Sequence, residues 1–143
     1  MVSLTSEYAL RAMVYLARQV DEWPIPGRAI AADTGIPHKY LLSILGTQVR
    51  AGILESSPGR GGGFSLARPA KDIKLIEVLA PVEQSLGNSR SCPFGSGICN
   101  EDSPCPAHDR WRHVREEYAR FLEDTSVHEA AFVTHDPSGA GEV

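Results

Sequence analysis

Long apolar runs are missing from this chain of 143 residues. None extends beyond a few residues, so no segment is expected to span a bilayer. The N-terminus lacks a signal-peptide core, because Glu7 and Arg11 interrupt its apolar residues, and the protein is expected in the cytoplasm. Cysteine is scarce as well: three residues, an odd number that suits a disulfide framework badly where thiols stay reduced. Neither a nucleophile–base pair nor a substrate cleft can be named, so no enzyme is expected. Positive charge is not in excess; the net charge is −4.

The distribution of that charge says more than its sum. Residues 1–70 carry seven Lys and Arg against five Asp and Glu, whereas residues 71–143 carry seven against thirteen. Only the first half suits a polyanion. Apolar content of 42% and charged content of 22% are those of a soluble globular domain.

In chain order, Thr5 or Ser6 is the expected cap of a first helix that runs to about Gln19, with Glu7 at the positive end of its dipole. Tyr8, Ala12, Tyr15 and Leu16 recur at helical spacing. A turn region over 21–27 leads to a short helix from Arg28 to Asp33, ended by Thr34-Gly35. A second helix starts near Pro37, runs through Tyr40, Leu41, Ile44, Leu45 and Val49, and stops at Gly52. Gln48 falls where that stripe calls for leucine, so it is either hydrogen-bonded or marks a loose core. Two helices joined by a glycine-containing turn have the pattern of a helix-turn-helix. Ile53–Ser56 and Phe64–Ala67 then read as strands of a hairpin, with Arg60 and three glycines at its tip. Glycine lets backbone N–H groups approach phosphate, and Arg60 is long enough to enter a minor groove. Asp72 is the expected cap of a short helix, Ile73 to Ala80. From Pro106 to about Glu123 runs the longest helix, with Trp111, Val114, Tyr118, Phe121 and Leu122 on one stripe. In so small a domain, a second copy of the same helix is its natural cover. Val127–Phe132 makes one or two further turns.

If Leu41, Ile44, Leu45 and Val49 face the core, the second helix presents His38, Lys39, Leu42, Ser43, Gly46 and Thr47 outwards. Lys39 and His38 donate to guanine or phosphate, Ser43 serves several bases, and Leu42 suits a thymine methyl. Arg28 and Arg50 are expected to hold the DNA backbone.

All three cysteines lie between these regions, in the pattern Cys92-x6-Cys99-x5-Cys105-x2-His108. Structural zinc favours close pairs such as Cys-x2-Cys, and none occurs here. Wider gaps let thiolates surround a larger, soft object, which favours an iron–sulfur cluster. Cys105 is placed at the N-cap of the long helix, where the dipole favours a thiolate, and His108 at its third residue, in reach of the same iron. His108 also reads as an exposed first-turn histidine. Glu7 could supply a ligand to a partner subunit's cluster, or simply favour its helix dipole. A thiol-based or zinc-stabilised repressor without a cluster is the alternative.

Taken together, Leu4–Arg11, Ile36–Leu41, Ala51–Leu54, the wing Gly59-Arg-Gly-Gly-Gly-Phe64 and the cysteines followed by a tryptophan-bearing helix resemble the IscR-, NsrR- and RirA-like regulators of the Rrf-two family. That resemblance implies a mainly α fold: a winged helix-turn-helix with a small β-hairpin wing, plus a long C-terminal dimerisation helix. It also implies a homodimer that binds double-stranded DNA at a palindromic operator. The cluster would be 2Fe–2S if His108 completes the ligand set, as in IscR-like members. It would be 4Fe–4S if Glu7 of the partner subunit does, as in NsrR-like members. The expected organisation is a DNA-binding domain over 1–80, a cluster-binding loop over 81–105, the dimerisation and C-terminal helices over 106–133, and a disordered tail over 134–143. Operator affinity would follow a cluster that senses iron, nitric oxide or redox state.

Overall fold

The computed structural model describes residues 2–83, 94, 102 and 104–132. Cys92, Cys99 and the tail over 134–143 lie outside the described residues. Helix α1 spans Leu4–Arg18 and buries Ala9, Ala12, Met13, Leu16 and Ala17, one face of a 3.6-residue period. Its cap is Ser3, ahead of the expected Thr5 or Ser6: the Ser3 hydroxyl oxygen accepts the Ser6 N–H at 3.1 Å. The displacement has a cause far along the chain. The Glu83 carboxylate accepts from the hydroxyls of Ser3 and Ser6, each at 2.6 Å, which draws Ser6 inwards as a buried residue.

Helices α2 (Gly27–Thr34) and α3 (His38–Arg50) form the helix-turn-helix, with Gly35 at φ +73° closing α2. That left-handed conformation is cheap only for glycine. Leu41, Ile44 and Leu45 are buried, as their spacing requires, and Tyr40, at the edge of that stripe, is exposed. Gln48 is fully buried and hydrogen-bonded: its Nε2 donates to the Val78 carbonyl at 2.8 Å. It satisfies an orphan carbonyl of the short helix α4 (Leu75–Leu79) that a leucine would leave bare.

Strands β1 (Leu54–Ser57) and β2 (Gly63–Leu66) pair antiparallel, Leu54 opposite Leu66 and Ser57 opposite Gly63. Each is displaced by one residue towards the tip from its expected position. The sequence pattern gave no sign of a third element here. Ile25 exchanges two backbone bonds with Phe64, N–H to Phe64 oxygen at 3.0 Å and oxygen from Phe64 N–H at 2.8 Å. Pro24 and Pro26 have no N–H, so the pairing ends after this one residue.

Asp72 does not cap α4. It lies in a 3-10 turn, Ala70–Asp72, and α4 is capped at Lys74, whose N–H donates to the Glu77 carboxylate at 2.8 Å. The helix cannot begin at Ile73 because that backbone is engaged elsewhere. Val127 N–H donates to the Ile73 carbonyl at 2.8 Å, and Leu75 N–H to the Thr125 carbonyl at 2.9 Å. Thr125 joins helix α5 (His108–Asp124) to helix α6 (Val127–Phe132), so the late chain is stitched onto the early one. Leu122, Val127 and Ala131 belong to the same core cluster as the buried face of α1. The Arg18 Nε donates to the Ala131 carbonyl at 2.8 Å. No described helix is long and apolar enough to cross a membrane.

Candidate nucleic-acid interface and cysteine site

The DNA-facing candidates follow from how α3 is seated. With one face of α3 buried, His38, Lys39, Leu42 and Ser43 are exposed. Thr47 is half-buried and committed within the helix: its hydroxyl donates to the Ser43 carbonyl at 3.0 Å and accepts from Arg50 Nη2 at 3.1 Å. Arg28 is exposed in the first turn of α2 and Arg60 at the wing tip. Gly27 shows how closely these elements meet. A Cβ there would lie 2.9 Å from Leu42 Cδ2, 3.6 Å from the Phe64 ring and 3.8 Å from His38 Nε2. The N-terminus of α2, the N-terminal half of α3 and the base of the wing therefore share one corner. Sequence reasoning missed Gly27, whose only local signal is a glycine opening a helix.

The second site stands at the head of α5. Its N-cap is Ala107, not Cys105, and His108 is the first helical residue, not the third. The Ala107 backbone (φ −96°, ψ 5°) is not yet helical, so Pro106 and Ala107 form a turn ahead of the helix. That turn is closed by the His108 N–H, which donates to the Cys105 carbonyl at 2.9 Å. The two candidate ligands are thus held one turn apart. His108 is 6% exposed, not the exposed histidine of the alternative reading, and Cys105 is half-buried. Both line a cavity of about 230 Å³ with Pro104, Pro106, Asp109 and Arg112. A thiol and an imidazole sharing a small cavity are a donor set for a soft transition metal. Among the described residues no three metal-ligating side chains gather. Glu7 is exposed in the first turn of α1 and does not line this cavity.

Two further features stand near the site. One is the Glu83 junction, which fastens the last described residue before the cysteine segment to the N-terminus of α1. Burial, and then the charge of Glu83, push the Tyr118 hydroxyl of α5 above its ordinary pKa. The other is Trp111, three residues beyond His108. Its ring meets Phe94 edge-on, with centroids 6.1 Å apart and planes at 90°. Farther along α5, Val114 and Phe121 stay exposed in the single chain, at 44% and 53%.

A family model described as Rrf2, iron-dependent transcriptional regulator, matches residues 2–131. The HTH-type transcriptional regulator IscR of Vibrio atlanticus is 32% identical over 130 residues, covering 90% of this chain and 74% of that protein. Among solved structures, CymR, the global cysteine regulator of B. subtilis, superposes with a TM-score of 0.76 at 22% identity, covering 94% of this chain and 98% of that one. IscR of T. potens superposes with a TM-score of 0.71 at 23% identity, covering 100% and 93%. At those identities the structural likeness establishes the winged-helix fold. These relatives are named as transcriptional regulators, not as enzymes.

Proposed function

The chain belongs to the Rrf2 family of transcriptional regulators, and from that premise we propose that it is a homodimer whose grip on a palindromic operator is switched by an iron–sulfur cluster. The observation that carries this reading is the cavity at the head of α5, where Cys105 and His108 face one small volume. Cys92, Cys99 and Cys105 would hold the cluster, with His108 or Glu7 of the partner subunit as fourth ligand. His108 is favoured, because it is buried in the same cavity as Cys105. When bound, the cluster supplies iron that responds to redox state, nitric oxide or iron supply.

In this reading residues 1–80 read DNA, 81–105 hold the cluster and 106–133 supply the dimerisation helix and the C-terminal helix. Lys39, Leu42 and Ser43 read base edges from α3, His38 serves base or phosphate, and Arg28 and Arg60 grip backbone and minor groove. The internal bonds of Thr47 make it a support for Arg50 and Ser43 more than a reader. Val114 and Phe121 are the apolar residues of α5 that a second copy would cover. The Glu83 junction ties the start of the cysteine segment to α1, against which α3 packs, and this gives the switch a mechanical route to the reading head.

Anaerobic purification tests the proposal. The expected product absorbs visible light and carries iron and acid-labile sulfide. Cys105→Ala is expected to lose the absorbance and change operator affinity at least tenfold, a shift of ~1.4 kcal/mol. Colourless protein with intact thiols and bound zinc would instead support a thiol- or zinc-based repressor. A Cys105→Ala protein that binds DNA as the parent does would refute the switch.

A further inference from the structure

The chain has two tryptophans, and they differ in a way that packing alone does not explain. Trp23 is satisfied: its Nε1 donates to the Leu16 carbonyl at 2.9 Å. The Nε1 of Trp111 is shut off from solvent, yet has no acceptor among the described residues. A buried N–H left without an acceptor costs about 1–3 kcal/mol, and such groups are rare in folded proteins. Its position on α5 says where an acceptor would come from. Trp111 lies three residues beyond His108, hence on the same helix face, and its neighbour Arg112 lines the cavity of Cys105 and His108. Against its ring stands Phe94, which belongs to the stretch between Cys92 and Cys99. The indole is therefore in ring contact with a residue that lies between two of the cysteines in sequence.

We infer that the indole N–H of Trp111 donates a hydrogen bond to a sulfur atom of the group held at Cys105, so that Trp111 is a positioning residue that tunes that group. The inference rests on the reading of the cysteine segment as a cluster site. An indole N–H is a donor only, so Trp111 cannot be a ligand, and it exchanges no proton in the physiological range. Donation to a thiolate or sulfide stabilises the more negative, reduced state, and so raises the reduction potential. The edge-on ring of Phe94 fixes the indole plane and with it the direction of the N–H.

The test is Trp111→Phe in the full chain, which keeps an aromatic ring against Phe94 and removes the donor. Parent and variant are reconstituted anaerobically with ferrous iron and sulfide, and their reduction potentials are compared at matched iron and sulfide content. The expected result is equal loading and a lower potential, with the reduced-to-oxidised ratio at fixed solution potential falling roughly tenfold. Equal loading with an unchanged potential overturns the inference and leaves the cluster reading standing. A parent chain that takes up neither iron nor sulfide overturns both. Should the variant fail to load, Trp23→Phe decides, because Trp111 is then the sole indole emitter. Strong quenching of its fluorescence on loading supports the inference, and unquenched emission overturns it.

Discussion

Gly63→Ala is the sharpest test of how the wing is held. At Gly63 the backbone has φ +149°, and a Cβ would lie 2.2 Å from the Ile25 carbonyl carbon, 2.3 Å from its oxygen and 2.6 Å from Pro26 N. All three atoms are backbone, so no rotamer change relieves the clash. Relief requires the strand residue Ile25 to lift away, which breaks both of its bonds to Phe64. Those bonds contribute roughly 1 kcal/mol each. Lifting also uncovers an isoleucine that is only 5% exposed, worth about 2 kcal/mol. The expected loss is therefore about 4 kcal/mol, a large share of the roughly 5–15 kcal/mol of a typical domain. Gly61→Ala is the internal control. Gly61 has φ +73° but open space where a Cβ would stand, so only the left-handed backbone is penalised, by about 1–2 kcal/mol. Urea unfolding of both variants, fitted with a shared slope, measures the difference. Equal losses would refute the claim that the close approach of Ile25, and not the wing's backbone conformation alone, demands glycine at position 63.

Two further outcomes concern the core and its pH dependence. Gln48→Leu removes the donor to the Val78 carbonyl, at a cost of about 1–3 kcal/mol, but also removes the Gln48 Oε1, which is buried without a partner among the described residues, so the expected net loss is smaller, about 1 kcal/mol; a variant more stable than the parent would show that relief of the orphaned oxygen outweighs the bond. The Glu77 carboxyl is held below its ordinary value of 4.5, first by the Lys74 backbone N–H and then by Arg68, whose Nη2 lies 2.7 Å away. Its folded pKa is depressed, so the stabilisation is fully present above the unfolded value and fades as pH falls through the folded one. Glu77→Gln is expected to flatten the urea midpoint across that acid range, and an unchanged slope would contradict it.

Much of the architecture was legible because it rests on local chemistry. Ala12 and Leu16 on α1, and Leu41, Ile44 and Leu45 on α3, repeat at the period of a helix, and a helix buries whichever stripe is apolar. Gly35 marks a left-handed turn that few other residues tolerate. The spacing from Cys105 to His108 was likewise enough to bring both residues to one turn, although not to place the first helical residue correctly.

Tertiary structure decided whatever depends on partners distant in sequence. The cap of α1 moved to Ser3 under a carboxylate that lies 80 residues away. The start of α4 moved to Leu75 because Ile73 was taken by Val127. Ile25 became a strand through pairing with Phe64, between prolines that show no period. Gln48 became a core residue because a carbonyl of α4 arrived beside it. Periodicity and capping rules act over a turn or two, within reach of a few bonds along the chain. Which donor meets which acceptor across the molecule is settled only when the apolar faces have packed, since burial then makes every unmatched polar group costly.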